Sequence, residues 1–291
     1  MSGWTDPLRF GYTPGLIATD ARHRDLASDL SFQPSPSTLV DLGVAWFIHD
    51  DGLHRYTTSY LISGSETTTV HAEQPLYRLR NQGLELSASL KGSTGAFRYL
   101  LATQWTRYWN QVTFEEGLQD YTAFSWYKDS PYSIADGYPL GQRMTESGKF
   151  AGSIFPTLTG GIQASLGWHR WQATVAGYGA WGNKILHEKD FDALDRYYLE
   201  TGWSYIDRQY DSDRWLLDGS FFRISQIRLD YAFPQRHRTA VALYASLENP
   251  FLFTRYPGSD PELALTWERL GVESAVYPTV RRLVFGCTVN L

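Results

Sequence analysis

Apolar and polar residues alternate with a period of two in nine separate stretches of this chain. That period belongs to a strand with one face in an apolar medium and the other in a polar one. From Val40 the even positions are Val40, Leu42, Val44, Trp46 and Ile48, set against Asp41, Gly43, Ala45 and Phe47. Leu84, Leu86, Ala88 and Leu90 oppose Glu85, Ser87 and Ser89, and Phe97, Tyr99, Leu101 and Trp105 oppose Arg98, Ala102 and Gln104. Ile162, Ala164, Leu166 and Trp168 alternate with Gln163, Ser165, Gly167 and His169, and Trp171, Ala173, Val175 and Trp181 with Gln172, Thr174 and Tyr178. Ile227, Leu229, Tyr231 and Phe233 face away from Gln226, Arg228 and Asp230, as Val241, Leu243, Ala245 and Leu247 do from Ala242, Tyr244 and Ser246. The last run is Leu283, Phe285, Cys287, Val289 and Leu291, and a weaker first run uses Leu26, Leu30 and Phe32.

Each run is about ten residues long, close to the ~9–11 that a tilted strand needs to cross a bilayer. The second face holds Gly, Ser, Gln and Asn, which suits a watery lumen better than a second packed sheet. Short connections (Gln33–Ser37, Lys91–Gly95, His169–Arg170, Pro234–Arg238) carry turn residues. They alternate with long ones at about 49–77, 110–158, 182–220 and 248–279. Short turns at one end and long loops at the other are the pattern of an outer-membrane barrel. The fold expected is therefore all-β: an antiparallel up-and-down transmembrane β-barrel segment of about nine strands, with short periplasmic turns and long extracellular loops. Residues 1–21 are expected to be an irregular segment and 22–291 the barrel portion.

Aromatics make up 15% of the chain, with 11 Trp and 19 Tyr. Trp46, Trp105, Trp109, Trp168, Trp171 and Trp181 fall at strand ends, where interfacial girdles sit. Net charge is −5 with no basic run, which speaks against nucleic acid as a partner. No apolar run reaches the ~20 residues of a membrane helix. Met1-Ser-Gly-Trp-Thr-Asp6 has neither the basic start nor the apolar core of an export signal. An odd strand count suggests a piece of a larger barrel, since single-chain bacterial barrels normally use even numbers. A missed strand near Leu8–Pro14 would instead allow a small self-contained pore or scaffold. A secreted carbohydrate-binding β-domain, with the aromatics as its sugar platform, is the third reading.

Three stretches then become specific. Ser212-Asp-Arg-Trp-Leu-Leu-Asp-Gly-Ser220, continuing through Arg228-Leu-Asp-Tyr-Ala-Phe-Pro234, resembles the late-barrel signature of the SusC/RagA family of TonB-dependent receptors. Glu248-Asn-Pro-Phe-Leu-Phe253 with Tyr256-Pro-Gly-Ser-Asp-Pro-Glu262 resembles its Asn-Leu-Phe…Asp-Pro-Glu segment, and Tyr277-Pro-Thr-Val-Arg281 with Phe285-Gly286 its ending. Upstream, Asn81-Gln-Gly-Leu-Glu-Leu86 and Gly137-Tyr-Pro-Leu-Gly141 are similar to further motifs of that family, in the same order.

The resemblance implies the C-terminal portion of an energised outer-membrane importer of glycans or peptides, within a barrel of roughly 22 strands that holds a plug. It also implies a SusD-like lipoprotein lid, contact with the TonB complex through an N-terminal part, and assembly by the barrel-assembly machinery. The plug and the earlier strands have no counterpart in this sequence. Leu283, Phe285, Cys287, Val289 and Leu291 resemble the C-terminal assembly signal, facing the lipid bilayer. The loop residues Tyr121, Phe124, Trp126, Tyr127, Tyr132 and Tyr138 are the candidates for contact with a glycan or peptide substrate.

The seven histidines and the single cysteine show no ligand spacing. No nucleophile–base order or phosphate-cradling glycine loop stands out. Neither a metal, a cofactor nor an enzymatic role is expected.

Overall fold

The computed structural model describes residues 15–63, 66–114, 137–139, 141–144, 150–187, 216–234, 240–265, 271–273, 277 and 279–290. Nine long strands form one antiparallel sheet. In chain order they are β1 (Gly15–Ser35), β2 (Thr38–Ser63), β3 (Glu66–Thr94), β4 (Phe97–Phe114), β7 (Leu158–Trp168), β8 (Trp171–Trp181), β11 (Phe221–Ala232), β12 (Ala240–Thr254) and β14 (Arg282–Asn290). Each strand lies beside its neighbour in this series, which is an up-and-down meander. Five short strands belong to the long connections: β5 (Gln142–Met144) pairs with β6 (Phe150–Ser153), and β9 (Lys184–His187) lies between β10 (Leu216–Asp218) and β13 (Val272–Glu273). A 3-10 turn, Pro261–Leu265, precedes β13.

The register aligns the apolar positions into continuous rows. Tyr99, Leu166, Ala173, Leu229, Ala245 and Phe285 form one such row across six strands. Leu26, Trp46 and Leu84 form another. Most of these side chains stay exposed, with Leu26 at 68% and Phe285 at 72%, while Leu84, Tyr99 and Ala245 are half-buried. A sheet that leaves its whole apolar face uncovered requires an apolar solvent on that side. Apart from a few register shifts, neighbouring strands pair continuously along their lengths, as the same solvent demands.

Along β8 the two end tryptophans, Trp171 and Trp181, bracket the strand. Its 11 residues span about 33 Å at ~3.3 Å per residue. With a tilt of ~40° the vertical span is about 25 Å, the height of the apolar band of an outer-membrane barrel.

Two-residue turns link Ser35 to Thr38, Thr94 to Phe97 and Trp168 to Trp171. Gly95 (φ 62°) and His169 (φ 52°) supply the left-handed conformation that tight hairpins need.

Two expectations shift. The stretch 49–77, read as a loop, is a ladder: β2 and β3 pair without interruption, but for one register shift, from Thr38↔Gly92 to Ser63↔Glu66. β1 likewise starts at Gly15, inside the segment expected to be irregular. The physical reason is that alternation marks the stretch facing lipid, whereas a hairpin continuing into water keeps its hydrogen bonds without any apolar face.

Candidate functional site

The polar face and the connections folded over it make the site. On that face Asp41 accepts hydrogen bonds from Ser31 Oγ (2.7 Å) and Ser89 Oγ (3.0 Å), three neighbours across β1, β2 and β3. A cavity of about 1050 Å³ lies against the face. Ser87, Gln104, Thr159, Gln163 and Tyr178 line it from the strands, and Glu262 and Leu265 reach it from the 3-10 turn.

Arg223 anchors that turn. It sits on the polar face of β11, opposite Tyr178 of β8. Its Nη2 donates to both carboxylate oxygens of Asp260 (2.6 and 2.7 Å), and its Nε donates to Glu262 Oε2 (2.9 Å). Tyr178 Oη donates to Glu262 Oε1 at 2.6 Å. Asp260 also accepts from the backbone N–H groups of Glu262 (3.1 Å) and Thr279 (3.3 Å). Arg223 and Asp260 are each 2% exposed, so both charges are neutralised out of contact with water. A guanidinium held by two carboxylates is rigid as well as strong.

A second carboxylate organises the connection beyond. Glu273, at the end of β13, accepts from Tyr256 Oη and from the Ser259 N–H (2.8 Å), and lies 3.3 Å from His187 Nε2. Ile185, Tyr256 and Ala264 form a small apolar core beside it, with Leu217 packed against them. The connections after β8 and β12 are thereby fastened to one another and to the sheet.

All six candidate girdle tryptophans lie on the apolar face. Trp46, Trp105, Trp109 and Trp181 stand toward the long connections, and Trp168 and Trp171 flank a short turn. Trp105 and Trp181 stack with centroids 5.6 Å apart, and Trp171 packs on Tyr231 at 4.6 Å. Leu283, Phe285, Cys287 and Val289 are exposed on β14. Leu291 lies outside the described residues, as do Tyr121, Phe124, Trp126, Tyr127 and Tyr132. Tyr138 is exposed, and its carbonyl accepts from the Val112 N–H at the end of β4. The Arg223–Asp260–Glu262–Tyr178 network carries no signal in the sequence. Its members are up to 84 residues apart, and only the run Asp260-Pro261-Glu262 belongs to a sequence motif.

No family model matches the chain. Over 87 residues it is 29% identical to the TonB-dependent receptor SusC of Bacteroides thetaiotaomicron, a match covering 28% of this chain and 8% of that protein. The whole chain superposes on the solved structure of the RagAB peptide transporter with a TM-score of 0.55 at 15% identity. Against the RagAB peptide importer the TM-score is 0.57 in the "closed-closed" state and 0.56 in the "open-open" state, again at 15% identity. At that identity the likeness is one of fold. The chain spans 41% of the length of each of these structures.

Proposed function

We propose that this SusC/RagA-like chain forms the C-terminal barrel strands of a TonB-dependent outer-membrane transporter that imports glycans or peptides. The observation that carries the reading is the two-sided sheet. Its apolar rows are continuous and largely exposed, its polar face borders a cavity, and the turns after β1, β3 and β7 lie at one end while the long connections after β4, β8 and β12 lie at the other. The likeness to SusC and to the RagAB structures supports the same reading.

In this reading the six tryptophans anchor the sheet at the two interfaces. The exposed apolar strand β14, with Leu291, carries the signal for barrel assembly. Tyr121, Phe124, Trp126, Tyr127, Tyr132 and Tyr138 contact substrate from the outer loops, where rings offer stacking faces for sugars or peptides. A lipoprotein lid of the SusD kind covers those loops, and the TonB complex engages through an N-terminal part. The chain performs no chemistry of its own.

The test is deletion of the coding sequence in the source bacterium, followed by uptake of labelled oligosaccharides and oligopeptides with and without an uncoupler. Loss of energised uptake of one class is expected. Unchanged uptake of both classes, or uptake indifferent to the uncoupler, would sink the proposal.

A further inference from the structure

Just beyond the level of Trp46, on the outward face, cations replace the apolar side chains. The register places Arg24, Ile48, Gln82 and Trp109 side by side across β1 to β4. One row further from the short turns come Arg22, Asp50, Arg80 and Gln111. Arg78, paired with Gly52, follows in the row beyond. Arg107 lies one row nearer the apolar band, with its guanidinium 5.3 Å from the centre of the Trp109 ring. All share strand parity with Leu26, Trp46 and Leu84, so they stand on the lipid-facing side.

Five guanidinium groups, those of Arg22, Arg24, Arg78, Arg80 and Arg107, thus gather on this face, with Arg80 donating to the carboxylate of Asp50. The carboxyl of Asp50 is held below the ordinary carboxylate range, first by the hydrogen bond from Arg80 and also by the positive charge of Arg80, Arg78 and Arg24. Among the other described side chains of the sheet, Lys91, Arg98, Arg223, Arg228 and Arg282 have polar-face parity. The outward cluster therefore lies on β1, β3 and β4, toward the long-connection end.

That level has a specific chemistry. Tryptophans mark the boundary between hydrocarbon and headgroups. Cations immediately outside it meet the headgroups, and the planar guanidinium fork matches phosphate oxygens two at a time. We propose that the outward face of β1–β4, from Arg107 to Arg78, binds the phosphate groups of an anionic membrane lipid in the leaflet at the long-connection end. The proposal rests on the reading that this sheet spans a membrane.

The test uses the full chain reconstituted in phosphatidylcholine vesicles. These are supplemented with diphosphorylated lipid A, with its dephosphorylated form, or with nothing. Flotation reports membrane association, and titration of the lipid reports binding. The wild type should float with every vesicle and bind the phosphorylated lipid more tightly than the dephosphorylated one. Each guanidinium near a charged surface contributes about fivefold, so Arg22→Gln/Arg24→Gln/Arg80→Gln should weaken the phosphorylated lipid roughly a hundredfold. The pair Arg24→Gln/Arg107→Gln, which leaves the Asp50–Arg80 contact alone, should weaken it roughly 25-fold. Arg98→Gln, on the other face, should match the wild type.

Wild-type affinity in both multiple variants overturns the proposal, and so does equal displacement by inorganic phosphate, which would make this a site for the free ion. Flotation without phosphate preference removes only the lipid site. Failure to float with any vesicle removes the membrane reading and this proposal with it.

Discussion

The guanidinium of Arg223 places one nitrogen, Nη2, 2.6 Å from Oδ1 and 2.7 Å from Oδ2 of Asp260, and both side chains are almost fully buried. The contact joins β11 to the connection that follows β12. Removing one partner leaves the other charged and out of water, which costs about 3–5 kcal/mol. Asp260→Ala is therefore expected to release the 3-10 turn Pro261–Leu265 from the polar face while the sheet ladder persists. Hydrogen exchange resolved by peptide should show that loss of protection confined to the connection. Because the two groups act as a unit, Arg223→Leu/Asp260→Leu should cost less than the sum of the single changes. Full protection in Asp260→Ala would show that the connection is held by other contacts.

Trp105 lies across Gly160 of the neighbouring strand, its cross-strand partner, and stacks on Trp181 beyond. A Cβ at Gly160 would collide with the indole. The ring also donates from Nε1 to Thr103 Oγ1 at 2.7 Å, which fixes its orientation. Gly160→Ala should push the ring off its neighbour and cost about 1–3 kcal/mol, the usual range for an overpacked contact. The checks are a shifted tryptophan emission and a lower unfolding midpoint. Unaltered emission would mean that the indole has room the packing does not suggest.

Above the apolar band, Arg80 Nε donates to Asp50 Oδ1 at 2.7 Å and lowers the Asp50 carboxyl below its ordinary range. A depressed folded value means stability that is present above the unfolded carboxylate range and is lost as pH falls through the folded value. The pair is partly exposed, so the effect stays below about 1 kcal/mol. Acidification from neutral pH to below the carboxylate range should raise hydrogen exchange around residues 48–52 and 78–82. In Asp50→Asn that pH response should shrink. An identical acid response in both proteins would place the sensitive group elsewhere.

The strand-crossing part of the fold was legible because lipid on one side and water on the other write themselves into every second residue, as in Leu283, Phe285 and Val289. The stretch 49–77 was not, because a hairpin in water carries no such imprint. Thr58↔His71 and Tyr60↔Thr69 pair through backbone groups that nearly any sequence supplies. The six tryptophans were visible as members of alternating runs or their extensions, and the register puts all six on the apolar face. Arg223 could not, since it looks like any polar-face residue of β11 until the turn at Asp260 folds over it. The outward arginines were visible as residues, but their gathering depends on the register of four strands, which composition does not set.

The assignment of faces gives the sharpest test of the architecture. Leu166 is exposed on the apolar face, and Gln163 lies on the opposite one beside the cavity. In a Cys287→Ser background, which removes the single native thiol, Leu166→Cys and Gln163→Cys each report one side of the same strand. In vesicles, a water-soluble maleimide should label Gln163→Cys readily and Leu166→Cys about tenfold more slowly or not at all, since a lipid-buried thiol meets neither water nor the reagent. An environment-sensitive fluorophore attached in denaturant before refolding should read apolar at 166 and wet at 163. Equal labelling of both, or the reverse order, would mean that the exposed apolar rows are covered by protein rather than lipid, and the barrel reading would fall with them.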